Sequence, residues 1–193
     1  MKRAELAELH YITAIANVPS IRRLGILSHR RSEHLPHNSV AMAEIQERRA
    51  RVVVPGGRPL HDYVNLYVCA RNPMLFKRRD QHRKLCVLQI STRVLDLPGV
   101  VVTDGNASSE YVRFAAAPAG LEIVDSELTF AEYWTHQDQI EQWRRKRAKC
   151  AEVLVPDRVD PELILGAYVS SAEQLVRFDA RFAVTVSEHL FFH

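Results

Sequence analysis

The sequence is short of the features that announce most common functions. Three cysteines (Cys69, Cys86, Cys150) stand far apart with no C-x-x-C pair, which reads as reduced core thiols and disfavours both a disulfide framework and a zinc site. The nine histidines are scattered, so a clustered metal-dependent nuclease centre is not expected either. No apolar run is long enough to span a bilayer, and the charged opening "MKRAELAELHYI" lacks the apolar middle of a signal peptide. A soluble, cytoplasmic chain is expected. There is no G-x-G-x-x-G or G-K-[ST], so a dinucleotide needs some other cradle. Repeats, low-complexity tracts and composition shifts are missing too, which predicts one domain over residues 1–193, large enough for one sizeable core.

What is present is charge in patches. The net charge is only +3, but basic residues gather at 29–31, 48–51, 71–84 and 144–149, and acids at 122–141 and 157–162. Each patch taken alone reads as a solvated face; patches that converge would hold a polyanion by its phosphates. The most informative stretch is "RRKRAKCAEVLVP" (144–156), in which five positive charges in six residues lead into an apolar strand that carries Glu152. Burial there is costly for a carboxylate unless something needs it.

Patterning gives a mixed α+β chain without βαβ alternation. "NVPSIRRLGILS" reads as a helix, with Asn17 as cap, Pro19 in the first turn and Gly25 at the end. A second helix is expected over 39–49. "YVNLYVCA", "KLCVLQIS", "GVVVT", "KCAEVLVP" and "LILGAYVSS" read as strands. "NPMLFKRRD" repeats the Asn-Pro helix start. "TFAEYWTHQDQIEQWRRKRAK" is expected to be the longest helix, and a last helix falls near 171–180. In "LHYIT", read as a strand, His10, Ile12 and Ala14 share one face, and Tyr11 and Thr13 the other.

In order, "HYITAIANVPSIRRLGILS", "IQERR", "LHDYVNLYVCARNPML", "TDGNAS" and "KCAEVLVPDRVDPELI" resemble the DarT family of DNA ADP-ribosyltransferase toxins, from about residue 9 to 171. The resemblance implies an ADP-ribosyltransferase-like fold of two small abutting β-sheets with flanking helices. It also implies transfer of ADP-ribose from NAD+ to a base of single-stranded DNA, without a metal, by a toxin that a cognate antitoxin neutralises. A monomer is expected. Carried over by motif, Glu152 matches the catalytic glutamate. Arg48 matches best to the catalytic arginine, with Arg49 and Arg51 close by in the same run. His10 and Thr13 match residues that hold the nicotinamide side, Asn17 and Leu27 lie where that pocket continues, and Tyr63 and Tyr67 wall it.

Arg144, Arg145, Lys146, Arg147 and Lys149 are candidates for the DNA surface. Trp143 either stacks on a base or packs with Trp134 and Ile140. Asn106 stands where many relatives carry histidine, and "NLYVC" where they carry a Pro-Phe-Tyr-Phe-like run. Both positions border the acceptor base, which leaves thymine and guanine open. The same fold acting on protein or RNA, and a catalytically silent nucleic-acid-binding module, are the alternatives.

Overall fold

The computed structural model describes residues 1–180 and 182–192. Among the described residues, ten strands and six α-helices follow one another as β1 (Leu9–Ala14), α1 (Val18–Leu24), β2 (Ile26–Leu27), α2 (His29–Ser32), α3 (Ala43–Ala50), β3 (Tyr63–Tyr67), α4 (Pro73–Phe76), β4 (Leu85–Ile90), β5 (Val101–Thr103), β6 (Phe114–Ala116), α5 (Ser126–Phe130), α6 (Gln139–Ala148), β7 (Glu152–Pro156), β8 (Arg158–Val159), β9 (Ile164–Val169) and β10 (Val184–Val186). Short 3-10 turns fill many of the connections.

Eight strands form one sheet in the order β10-β9-β4-β1-β3-β7-β5-β6, and β2 with β8 makes a separate two-stranded ribbon. The expected pair of abutting sheets is therefore two four-stranded halves of one sheet. They are joined at a single register pair, His10 opposite Tyr67, whereas β1 and β4 pair along their whole length, from Leu9 opposite Ile90 to Ala14 opposite Leu85. Beyond His10 and Tyr67 the two halves part, and that parting is where the site lies.

Period-two patterning decides which face each residue takes. On β3 and β7, Val64, Leu66, Val153 and Val155 point into the largest apolar cluster, with Val102, Leu88 and Cys86. Each such side chain fully buried contributes about 1.5–3 kcal/mol. Tyr63 and Leu154 take the opposite face, with Val54, Leu60 and Ala107. Glu152 belongs to that second face by register, opposite Tyr67 on β3 and Thr103 on β5.

The strands expected from sequence are present; β2, β6, β8 and β10, all of two or three residues, carry too little pattern to be read. Helices diverge more. The long helix expected through residues 129–149 is broken into α5 and α6. Asp138 caps α6 by accepting from Glu141 N at 2.8 Å, and Trp134 leaves the helical path to pack edge-on against Phe76 and Phe192, with ring centroids 5.7 Å away in each case. Asn72 caps α4 as expected, accepting from Met74 N and Leu75 N, but α4 ends at Phe76. The last expected helix is a 3-10 segment, Ala172–Arg177. Gly25 does end α1, at φ 82°, where any Cβ would lie 2.3 Å from Val159 O.

Candidate active site

A cavity of about 760 Å³ opens where the half-sheets part. Tyr11, Ile12 and Thr13 of β1 line one side, and Tyr63, Asn65 and Tyr67 of β3 the other. Glu152, opposite Tyr67 on the neighbouring strand, is fully buried and does not itself line the cavity. Its backbone is fixed by Thr103, whose Oγ1 accepts from Glu152 N at 3.2 Å and donates to Gly105 O at 2.7 Å. Its carboxylate accepts from Arg49 NH1 at 3.0 and 3.3 Å and from the backbone N–H of Ala107. Burial pushes the Glu152 carboxyl above the ordinary glutamate range, and the Arg49 guanidinium with the Ala107 N–H pulls back only part of that shift.

The arginine opposite the carboxylate is thus Arg49, not the expected Arg48. Successive helical residues are turned about 100° from one another, and α3 turns Arg49 inward, where it is 5% exposed. Arg48 pairs with Glu44 one turn back on the outer side of α3, although it still reaches the cavity rim. Arg51, just past the helix, is exposed. Glu44 four residues before Arg48 is a helical ion-pair spacing, so the sequence did carry a sign that Arg48 is taken.

His10 is also displaced from its expected role. It does not line the cavity. Its Nε2 donates to Glu8 Oε1 at 3.1 Å, and Glu8 accepts further from Gln89 and Tyr168 at 2.8 Å each. His10 and Thr13 cannot share a strand face, but alternation alone does not keep His10 out, since Ile12 on the same face lines the cavity; the bond to Glu8 is what holds the ring elsewhere. Tyr11 is the cavity residue, its hydroxyl shifted upward by burial. Tyr67 is shifted well upward by burial and the neighbouring Glu152 charge, so both phenols stay neutral donors.

Thr13, Asn17, Leu27, Tyr63 and Tyr67 do line the cavity. Asn17 stands at the N-cap position of α1, but its side chain makes no capping hydrogen bond. Instead Nδ2 donates to Thr13 Oγ1 at 3.1 Å and to Asn38 O at 2.9 Å, while Oδ1 accepts from Asn38 N at 2.9 Å. Residues 35–42, which follow α2, form a strap over the cavity. Arg78, from the basic patch 71–84, fastens its far end by donating to Val40 O and Ala41 O. His29 and His61 add to the wall with rings 4.1 Å apart. Burial, followed by the His29 and Arg49 charges, keeps the His61 imidazole below its ordinary range. No local pattern links these two histidines, so the sequence offered no signal for the pair.

The basic helix sorts into four kinds of residue. Lys146 and Trp143 line the cavity mouth, with Trp143 62% exposed, so it is not packed with Trp134 and Ile140 in a core. Arg144 and Arg145 both pair with Glu141. Arg147 reaches the cavity but is held by Asp104 and Tyr111 O. Lys149 is not a surface cation at all. It is 1% exposed, and its Nζ donates to Ala131 O at 2.7 Å and to Cys69 Sγ at 3.3 Å. Lys149→Ala is expected to cost about 1–3 kcal/mol through the stranded carbonyl and to leave the salt dependence of DNA binding unchanged. Denaturant midpoints and binding isotherms at several salt concentrations check both parts.

Asn106 borders the same mouth. Its Oδ1 accepts from Ser108 N at 2.9 Å and Ser108 Oγ at 2.7 Å. A backbone N–H can only donate, so the oxygen is the atom turned inward. The amide nitrogen is left without a hydrogen bond in the protein among the described residues.

A buried glutamate one strand in from the cavity wall, paired with the wall residue Arg49 in a cleft between two half-sheets, fits an ADP-ribosyltransferase-type enzyme. The family described as ssDNA thymidine ADP-ribosyltransferase, DarT, matches residues 10–188, and the chain belongs to that family. A DNA ADP-ribosyl transferase-DNA ADP-ribosyl glycohydrolase fusion protein of Thermosipho africanus is 34% identical over 173 residues; the match covers 86% of this chain but only 43% of the fusion. A DNA ADP-ribosyl transferase of Thermus sp. (strain 2.9) is 33% identical over 169 residues, covering 80% of this chain and 78% of its own length. The solved structure of Thermus sp. 2.9 DarT with ADP-ribosylated ssDNA superposes with a TM-score of 0.81 at 29% identity, covering 100% of both chains. The same protein with NAD+ gives 0.77 at 26% identity, covering 97% of this chain and 98% of that one.

Proposed function

We propose that this chain transfers ADP-ribose from NAD+ to thymine in single-stranded DNA and releases nicotinamide. The observation that carries the reading is Glu152, wholly buried yet ion-paired to Arg49, beside a cavity that opens to solvent. The volume, about 760 Å³, falls in the range of sites that enclose extended small molecules. NAD+ supplies the ADP-ribose and, in nicotinamide, a leaving group whose departure develops positive charge on the ribose.

The chain's residues are suited to that chemistry. Glu152 places negative charge where the positive charge develops, in a site with little competing water. It is also the group to take the N3 proton of thymine as that nitrogen attacks. One C–N bond breaks, one forms, and the proton leaves by way of Glu152 to water. A base above the ordinary glutamate range accepts a proton more readily than a surface carboxylate. Arg49 favours the ionised form of Glu152 and fixes its orientation through NH1, which donates to both carboxylate oxygens. Tyr11, Thr13, Tyr63 and Tyr67 supply walls and neutral hydroxyl donors.

Thymine is favoured over guanine by the donors at the mouth. Asn106 offers its Nδ2, and Lys146 can only donate. Thymine flanks its single ring N–H with two carbonyl oxygens, which match such donors. The guanine amino edge presents N–H groups and calls for acceptors instead. Lys146 and Trp143 supply the grip on the strand outside the cavity. Lys146→Ala is expected to lower the salt slope of strand binding by about 0.7, one phosphate contact, and Trp143→Ala to weaken binding by about 1–3 kcal/mol, one stacked base. Fluorescence titrations across a salt series measure both.

The Thermosipho relative is named as a fusion of the transferase with a DNA ADP-ribosyl glycohydrolase. An activity of that kind removes the mark, and we extend the pairing to this chain as a toxin held in check by a cognate antitoxin. It would act in the cytoplasm, where NAD+ and DNA meet; among the described residues no helix is long and apolar enough to cross a membrane. The test offers labelled NAD+ together with single-stranded DNA, RNA and protein. Label on DNA alone is expected; label on RNA or protein with none on DNA would overturn the reading.

A further inference from the structure

We propose that Arg147 and Asp104 form a brace that positions the acceptor loop, residues 105–111, and thereby decides whether ADP-ribose goes to the base or to water. The inference rests on the transferase reading and extends it to a residue pair with no role in that reading. Arg147 lies in the basic run expected to hold DNA phosphates, yet both ends of its guanidinium are occupied. NH2 donates to Asp104 Oδ2 at 2.8 Å and NH1 to Tyr111 O at 2.6 Å. These partners stand at the two ends of the loop, so one side chain ties both to α6.

Asp104 is built for this task. It is nearly buried, at 3% side-chain exposure. Besides Arg147, it accepts from Arg113 N at 2.9 Å and Arg113 Nε at 2.8 Å. Arg113 continues to Ile123 O at 3.0 Å. Two guanidiniums on one carboxylate oxygen, with a backbone N–H on the other, give a multiply bonded joint with little freedom to swing. Gly105 lies so close beneath Arg147 that a Cβ would come 2.6 Å from Arg147 Cγ. The loop is therefore pressed onto the helix as well as bonded to it.

What the brace holds is the acceptor wall. Asn106, Ser108 and Ser109 line the cavity from this loop. Ala107 donates its backbone N–H to the Glu152 carboxylate, and Gly105 O accepts from Thr103, which in turn fixes Glu152 N. Acceptor and proton-accepting group thus share one mechanical support. If the wall loosens, the thymine nitrogen is no longer held in line and water takes its place. NAD+ and water then give ADP-ribose, nicotinamide and a proton. With DNA as acceptor, the products are ADP-ribosylated DNA, nicotinamide and a proton. A misplacement of about 1 Å costs on the order of a hundredfold in such a step, whereas NAD+ binding on the β1 side of the cavity is untouched.

The experiment compares wild type with Arg147→Ala, Arg147→Lys and Asp104→Asn, measuring DNA adduct formed per nicotinamide released, base selectivity, and the KM for NAD+. Expected are an unchanged KM for NAD+ and a fall in adduct per nicotinamide on the order of a hundredfold for Arg147→Ala. Adducts should also appear at bases other than thymine. Lysine reaches only one of the two acceptors, so Arg147→Lys should fall between. Asp104→Asn should reproduce the alanine variant, and combining the two should add nothing further. A thermal melt accompanies each variant, and if Arg147→Ala fails to fold, Arg147→Lys and Asp104→Asn carry the test. An unchanged adduct ratio and selectivity, with weaker DNA binding and a salt slope lower by about 0.7, would make Arg147 a plain phosphate contact and overturn the proposal. Wild-type protein that gave no DNA adduct at all would instead remove the transferase reading beneath it.

Discussion

Glu152→Gln is expected to lower DNA modification by about a thousandfold or more, the combined scale of a lost general base and a lost electrostatic stabiliser. Glutamine keeps an oxygen for Arg49 and for the Ala107 N–H, so the variant should fold and still bind NAD+. Glu152→Ala is a poorer test. It strands a guanidinium that is 5% exposed, and breaking a buried ion pair from one side costs about 3–5 kcal/mol. A falling melting temperature would then be confused with lost chemistry. Rates from the glutamine variant, with circular dichroism to confirm its fold, separate the two. A glutamine variant near the wild-type rate would remove Glu152 from the reaction.

The second large effect distinguishes two adjacent arginines. Arg49→Gln is expected to lower the rate about a hundredfold or more, the scale of a misplaced catalytic group, because it removes the cation that orients Glu152 and favours its ionised form; Arg49→Ala would break the buried pair from the other side and cost stability as well. Arg48→Ala should cost about 0.5 kcal/mol at most, as other exposed substitutions do. The pH profile adds a test of direction. Glu152 must be ionised to accept the thymine proton, and burial holds its carboxyl above the ordinary range. Activity should therefore fall as pH drops through that raised value. Arg49 draws the value down, so Arg49→Gln must let it rise, and the acid limb of kcat/KM should move to higher pH. An unmoved limb, or a larger loss from Arg48→Ala, would break the assignment of Arg49 to Glu152.

These outcomes also mark how far the sequence could be read. Glu152 stood out because one carboxylate in an apolar strand breaks a local rule, and violations of that kind gather at functional sites. That strand was legible for a local reason too: Ala151, Val153, Leu154 and Val155 make a short apolar run, which reads as a buried strand without knowledge of its partners. Arg49 was not legible in this way, because its partner is far along the chain and only the pitch of α3 selects it over Arg48. Tyr11 was not legible either, because residues from both faces of β1, Ile12 as well as Tyr11 and Thr13, line the cavity and alternation cannot choose among them. Lys149 shows the opposite failure. Composition made it one more cation in a basic run, while its position at the end of α6 sends it inward to Ala131 O. The break between α5 and α6 depends on Trp134 meeting Phe76 and Phe192, a contact no window along the chain contains.

The central claim is that thymine in a single strand is the acceptor and Glu152 the base that deprotonates it. The most direct measurement incubates the wild-type chain and Glu152→Gln with NAD+ and short single-stranded oligonucleotides, with and without thymine, and weighs the strands by mass spectrometry. A gain of one ADP-ribose unit by wild type on thymine-containing strands alone, with none from the glutamine variant, is the result expected. A gain on strands that lack thymine, or an equal gain from both proteins, would contradict it.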